Sequence, residues 1–291
     1  MPAGAESASL MRRMRNVVVF AKTPRWRAVA ADAAALTAGA RFAPIKRTAR
    51  TLAGFAEADG GRIFVKRVGE GPWLKGWLTR WRGSRARRAT RGAATLAAGG
   101  FHHPELLAAA EIRALGSVQA SFIISAALER ARVMSAIVLA GGKRAFRRRR
   151  EVSAAIAREI RRLHDAGIYS LDLQETNLML QDTADGGVTI YFVDLEDVRR
   201  TRRVGADARL LNLVHLDRTI GRFLPRTHRL RFLYDYLGGR PGRAAARQVV
   251  ARALEIRTRT ERRARGRRRS SNPAQPPNAA EKRLSPAGIG E

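Results

Sequence analysis

Short apolar and β-branched runs mark Thr51–Ala58 and Arg62–Val68 as strands, and Asp59-Gly60-Gly61 between them has the composition of a tight hairpin turn. Lys66 stands near the middle of the second run, where an apolar residue is the ordinary occupant. Residues 84–98 have helix-forming composition and stop at Gly99-Gly100, a C-cap pair. Ser117–Ala127 is apolar and β-branched enough for a buried strand. From Arg147 to Ala166, Val152, Ile156, Ile160 and Leu163 recur at helical spacing between charged residues, and Gly167 stops the helix. Residues 168–180 pass from a loop into a short apolar strand. Asp185-Gly186-Gly187 makes a turn, and a second strand, Val188–Val193, delivers Asp194 at its end. Leu210–Ile220 reads as helical. Residues 1–50 alternate short apolar runs with basic residues and carry no recognisable site, while Ser, Pro and Asn beyond Ser270 mark a disordered terminus.

At 291 residues and 45% hydrophobic content, the chain can bury the core of one two-lobed domain or two small ones. Cysteine is absent, which excludes disulfides, thiolate-bound zinc and cysteine nucleophiles and fits a reducing compartment, with cytoplasm as the default. No leader pattern stands out, and the longest apolar runs, Val118–Leu128 and Val133–Gly142, fall short of the ~20 residues of a membrane-spanning helix. The net charge of +31, carried almost entirely by arginine, draws anionic partners: nucleic acid, phospholipid head groups or phosphorylated glycans. Charge does not choose among them, and a general Ala, Gly and Arg bias accounts for part of it. The runs Arg147–Arg150 and Arg257–Arg269 read equally as solvated surface and as docking sites for anionic membrane or glycan phosphates.

The loop and hairpin carry the chemistry. Phosphoryl transfer from a nucleotide needs positioning and charge neutralisation more than covalent participation by the protein. A carboxylate beside the acceptor hydroxyl orients it and takes its proton, while an amide oxygen and a second carboxylate hold magnesium. Asp172, Asn177 and Asp194 fit these roles, and Lys66 can pair the nucleotide's α- and β-phosphates. Taken alone, Asp172 and Asn177 are more readily the residues of an ordinary turn, and Lys66 that of a solvated edge strand. The helix before them and the hairpin ending in Asp194 favour the phosphotransfer reading. Glu196 and Asp197 are candidates to add to metal binding, but the favoured expectation is that they face solvent and pair with Arg199, Arg200, Arg202 and Arg203. His102 and His103 read as loop residues. His164 reads as a helix-end residue that caps or packs.

The stretch Ile160-Arg-Arg-Leu-His-Asp-Ala-Gly-Ile-Tyr169, leading into Asp172-Leu-x-x-x-Asn177 and a hydrophobic strand ending in Asp194, resembles the lipopolysaccharide core kinases. These phosphorylate Kdo or heptose sugars within the protein-kinase-like superfamily. Phe-Val-Lys-Arg at 64–67, Leu210–Arg218 and Arg229–Tyr236 extend the resemblance over about residues 60–240. It implies an α+β, two-lobed fold with a small antiparallel-sheet N-lobe at 51–128 and a mainly helical C-lobe at 129–256, between a basic extension at 1–50 and a basic tail at 257–291. It implies ATP and magnesium, with Asp172 catalytic, Lys66 on the nucleotide and Asn177 and Asp194 on the metal. The acceptor it implies is a saccharide hydroxyl.

Two departures from the family pattern stand out. Ser170 replaces a histidine that braces the loop, and Ala89 stands where a helix normally supplies a glutamate to the strand lysine, leaving Lys66 without its usual ion pair. No Gly-x-Gly-x-x-Gly phosphate loop is present. Gln174 replaces the lysine found two residues after the base in Ser/Thr kinases, and the segment after Asp194 is short, so a small or lipid-linked acceptor is favoured over a peptide. The expected partners are a phosphorylated or anionic glycolipid and, peripherally, the inner face of an anionic membrane. A pseudokinase scaffold is the alternative. No specific nucleic-acid partner is expected, because aromatics are not interleaved with the basic residues.

Overall fold

The hairpin read at residues 51–68 becomes the inner part of a larger sheet. The computed structural model describes residues 14–58, 60–70, 83–139 and 143–271. β1 (Arg15–Ala21) is followed by helices α1 (Pro24–Ala31) and α2 (Ala33–Ala38), then by β2 (Ala43–Arg47), β3 (Thr51–Ala58) and β4 (Gly61–Gly69). Helix α3 (Arg85–Ala98) leads to β5 (Leu106–Ala114) and β6 (Ser117–Ala126). The six strands form one antiparallel sheet in the order β1-β5-β6-β4-β3-β2. Residues 15–47, expected to lie in an extension, therefore supply both edge strands. The reason is burial: Trp26 and Ala30 of α1 and Ala33 of α2 close over a sheet face carrying Ile63, Val65, Phe122 and Ile124. Residues 1–13 and Asp59 of the expected turn lie outside the described residues. Gly60 of that turn adopts φ +76, a region open to glycine at no steric cost.

Helix α3 begins at the Ser84 hydroxyl, which accepts from the Arg87 N–H at 3.1 Å. Two carboxylates hold this end, one just after β4 and one within β5. Glu70 accepts from the Arg85 N–H at 2.7 Å, and the fully buried Glu111 accepts from the Ser84 hydroxyl at 2.5 Å and from Arg87 Nε at 3.0 Å. Desolvation opposes ionisation of Glu111, yet its hydrogen bonds from Ser84 and Arg113 and the charge of Arg113 and Arg87 hold its carboxyl below the usual range. Helix α3 is thus fixed to the sheet at its charged end.

The second half of the chain is mainly helical. β7 (Arg132–Val133) and α4 (Met134–Val138) precede α5 (Lys143–Asp165), β8 (Ile168–Ser170), β9 (Leu178–Asp182), β10 (Val188–Phe192) and β11 (Val198–Arg200), with α6 (Ala206–Ile220) and α7 (Arg226–Leu237) after them. Val152, Ile156, Ile160 and Leu163 of α5 are all buried, as their spacing predicts, in a core shared with Leu96, Phe101, Leu178, Leu180 and Phe192. Each contributes about 1.5–3 kcal/mol relative to exposure. Within the basic run, Arg148 pins the β9–β10 turn, donating to the Gly186 and Gly187 carbonyls at 2.6 and 2.8 Å.

The chain divides after Gly242 into two units. The second holds one described helix, α8 (Arg243–Ser271), with Arg252–Glu255 and Arg257–Glu261 pairs along its surface. The tail beyond it lies outside the described residues. Among the described residues, no helix is long and apolar enough to cross a membrane.

One close approach locks α3 to the second half of the chain. A Cβ on Gly92 would stand 1.9 Å from the Leu195 carbonyl oxygen, so only glycine lets the helix rest on the turn after Asp194. Gly→Ala inside a helix ordinarily stabilises by ~0.5–1 kcal/mol. Here the sign reverses: Gly92→Ala is expected to destabilise by about 1–3 kcal/mol in denaturant unfolding, as overpacking does. A variant as stable as the parent would show that the helix is not seated there.

Candidate functional site

Strand period places Lys66. Ile63 and Val65 face the cluster under α1 and α2, so Lys66 projects from the opposite face of β4, between Ala53 of β3 and Ile123 of β6. The strand lies inside the sheet, which removes the solvated-edge reading of this lysine. Its ammonium is mostly buried, donating to Asp194 Oδ1 at 2.8 Å and to Glu196 Oε1 at 2.6 Å.

Asp194 and Glu196 reach Lys66 through the hairpin. β9 and β10 pair with Phe192 opposite Leu178, and the Val193 N–H donates to the Asn177 carbonyl at 3.1 Å. Asn177 and Asp194 are thereby brought to adjacent positions at the open end of the hairpin. Asp194 then begins a single 3-10 turn, Leu195–Asp197, which carries Glu196 inward. The expectation of a solvent-facing Glu196 is overturned: the residue is 2% exposed and paired with Lys66, with Arg85 of α3 at 3.9 Å. The turn is pressed beneath α3, and that packing turns its middle residue away from water. Asp197 is half-buried. Burial and then Asp194 raise its pKa, against the charges of Arg88 and Arg199.

The charges in this cluster are unequal. Burial works against the Lys66 ammonium, but Glu196 and Asp194 outweigh it and hold its pKa above the ordinary value. Burial also opposes ionisation of Asp194, yet the adjacent Lys66 keeps its carboxyl below the usual range. Glu196 is pushed up to about 7 by burial, with Lys66 pulling down and the Asp194 carboxylate pushing up. Two carboxyl groups on one buried ammonium thus divide their roles: Asp194 stays ionised while Glu196 holds a proton more readily.

The loop that carries Asp172 is braced on three sides. β8 pairs with β11, Val198 opposite Ser170, and the Leu171 N–H donates to the Asp197 carbonyl at 2.9 Å. The Ser170 hydroxyl accepts from the Asp172 N–H at 3.2 Å. Asn212 of α6 accepts from the Ser170 N–H at 3.2 Å and donates to its carbonyl at 2.6 Å. Behind it, His164 meets Asn212 Oδ1 at 3.1 Å and the Tyr236 hydroxyl at 2.8 Å, all three buried. His164 therefore packs, as expected of it, and in doing so supports the loop.

Within the loop, Gln174 donates to both Asp172 carboxylate oxygens at 2.6 Å, and Asn177 Nδ2 donates to the Asp172 carbonyl at 2.8 Å. That bond uses the Asn177 amide nitrogen and leaves the amide oxygen as the group that would hold a cation. An amide oxygen beside an ionised carboxylate suits magnesium, a hard cation that takes one or two protein oxygens and fills its shell with phosphates and water. These residues fit the metal and nucleotide expected of them. His215 of α6 also faces Asp172, its Nδ1 3.9 Å from Oδ1 and without a hydrogen-bond partner among the described residues; burial lowers its pKa, against the charge of Asp172.

Asn212 and His215 were not read as site residues from the sequence, and Glu196 only as a secondary candidate for the metal. Glu196 lies two positions after Asp194, the one local signal that could have found it. Asn212 and His215 lie some forty residues from the loop, in the Leu210–Arg218 stretch that carries the family resemblance but that suggested only a helix.

Comparison with known proteins agrees with this geometry. The lipopolysaccharide kinase (Kdo/WaaP) family matches residues 62–236, more than half of the chain. A solved structure, WaaP in complex with acyl carrier protein, is similar with a TM-score of 0.58 and 20% identity, covering 87% of this chain and 98% of that one. At that identity the likeness speaks for the fold: a kinase architecture with an antiparallel sheet in the smaller, N-terminal part. Curated proteins give no match.

The His164 brace has a pH signature. Burial holds its pKa at about 4, helped by Arg209 and opposed by the Asn212 hydrogen bond, below the ordinary 6.5. Between these values the unfolded chain binds a proton that the native protein does not. Stability is therefore expected to fall as pH drops from about 6.5 to 4, by up to roughly 3 kcal/mol from this group. Unfolding midpoints measured across that range should fall more steeply for the parent than for His164→Gln; parallel slopes would contradict the assignment.

Proposed function

The chain belongs to the lipopolysaccharide kinase (Kdo/WaaP) family and is a kinase; from that premise we propose that it transfers the γ-phosphoryl group of ATP to a saccharide hydroxyl of a lipopolysaccharide core, with magnesium. The observation that carries this reading is that Lys66 meets Asp194, that the hairpin ties Val193, next to Asp194, to Asn177, and that Asn177 in turn bonds the Asp172 backbone, so that four separated residues are linked in one place.

In the proposed reaction the Asp172 carboxylate, held on both oxygens by Gln174 and partly exposed, accepts a hydrogen bond from the acceptor hydroxyl. As the new acceptor O–P bond forms and the bond between the γ-phosphorus and its bridging oxygen breaks, that proton passes to Asp172 and ADP leaves. Lys66 has three N–H groups, of which Asp194 and Glu196 take two, so one remains for the α- and β-phosphates. Magnesium at Asn177 and Asp194 would neutralise phosphate charge. The net charge of +31 suits an acceptor that is itself anionic and presented at a membrane surface.

The reading is tested with lipopolysaccharide acceptor presented in anionic vesicles. Asp172→Ala is expected to lower kcat by ~10²- to 10⁴-fold, while folding and co-sedimentation with the vesicles persist. An unchanged rate would remove Asp172 from the chemistry, and failure of the parent protein to sediment would remove the membrane-borne acceptor.

A further inference from the structure

In the chain's own family pattern a helix supplies the acid for the strand lysine. Here α3 cannot do so. Ala89 is fully buried, and the helix lies so close to the turn that Gly92 stands over the Leu195 carbonyl. At its N-terminal end the helix offers a cation instead: Arg85 lies 3.9 Å from Glu196. The acid comes from the middle of the Leu195–Asp197 turn, where the buried Glu196 accepts from the Lys66 ammonium at 2.6 Å.

Resting on the phosphotransfer reading above, we propose that Glu196 is the positioning residue for Lys66, replacing the helix-borne acid, and that it holds the ammonium on the nucleotide's phosphates when Asp194 is engaged by the metal. Three observations carry this. Lys66 has two carboxylate partners, Asp194 and Glu196, and in the reading above only Asp194 is also assigned to the metal. Glu196 is 3% exposed at its side chain, so its position is set by packing and not by chance surface pairing. The turn that holds it is tied to both the catalytic loop and α3: the Asp197 carbonyl accepts from the Leu171 N–H, and the Leu195 carbonyl lies beneath Gly92.

A consequence follows for how the site is assembled. Where a helix supplies the acid, moving the helix makes or breaks the lysine pair. With the acid two residues from the metal carboxylate, on the same turn, Lys66 is held by the element that also carries Asp194. Lysine and metal positions then form or fail together, and a shift of α3 does not by itself release Lys66.

The experiment compares Glu196→Gln, Glu196→Ala and Glu196→Asp with the parent, measuring Mg·ATP binding by calorimetry and steady-state turnover on lipopolysaccharide; Asp172→Asn is the control for the chemistry itself. Glu196→Gln preserves shape and one acceptor, and its unfolding midpoint checks that it folds. Expected is a rise of tenfold or more in the KM and Kd for ATP in Glu196→Ala, a smaller rise in Glu196→Gln, partial recovery in Glu196→Asp, and an acceptor KM within twofold of the parent throughout. A merely structural residue would move both KM values together. Parent-like ATP binding and turnover in folded Glu196→Gln and Glu196→Ala, with Asp172→Asn inactive, would overturn the role of Glu196 alone. Full activity in Asp172→Asn would instead overturn the phosphotransfer reading on which it rests.

Discussion

A buried ammonium held between two carboxylates is the constraint on which the rest of the structure depends. Removing Lys66, Asp194 and Glu196 from water costs several kcal/mol per ion unless each is paired with good geometry. The fold meets that requirement by bringing a central strand, the end of a hairpin and a single 3-10 turn to one point. Two negative groups around one positive one leave an excess of negative charge, and the protein lets burial raise Glu196 while Asp194 remains ionised. The arrangement also explains the small residues of α3. Ala89, Gly92 and Ala93 let the helix lie against the turn and shut water away from the carboxylates.

Both apparent defects in the family pattern have local replacements. Ser170 stands where a bracing histidine is expected, and its hydroxyl caps the Asp172 N–H while Asn212 grips its backbone on both sides. Ala89 stands where an acid is expected, and Glu196 occupies the missing charge position from the opposite side of Lys66. In each case the substitute comes from another element, so the interaction is kept while its covalent address changes. Pairing Lys66 avoids the cost of a buried unpaired ammonium, a cost that a working kinase and a pseudokinase would share.

Much of the frame was readable from local pattern. The β3–β4 hairpin, α3 with its glycine stop, β6, the apolar stripe of α5 and the β9–β10 hairpin each declare themselves within ten to twenty residues, where period and turn chemistry act. β1 and β2 did not, because their strand character depends on a partner: Arg15–Ala21 is an edge strand completed only by β5, and Ala43–Arg47 is exposed along its whole length. The site divided in the same way. Asp172, Asn177 and Asp194 form a motif in one segment, whereas Glu196 looked like one of several acids in an arginine-rich stretch. Only its burial separates it from Asp197, and burial is a property of the packed α3, not of the neighbouring sequence. The bond between His164 and Asn212 was hidden for a related reason, since a hydrogen bond between residues forty-eight apart leaves no local trace.

The central claim is that Asp194 and Asn177 form a magnesium site beside a lysine that awaits nucleotide phosphates. The most direct measurement is calorimetric titration of ATP, with and without magnesium, into the parent protein and Asp194→Asn, an isosteric change that removes only the charge. The account predicts magnesium-dependent binding by the parent and its loss, or loss of its magnesium dependence, in the variant. Equal binding by both with the same dependence on magnesium, or binding by neither, would contradict it.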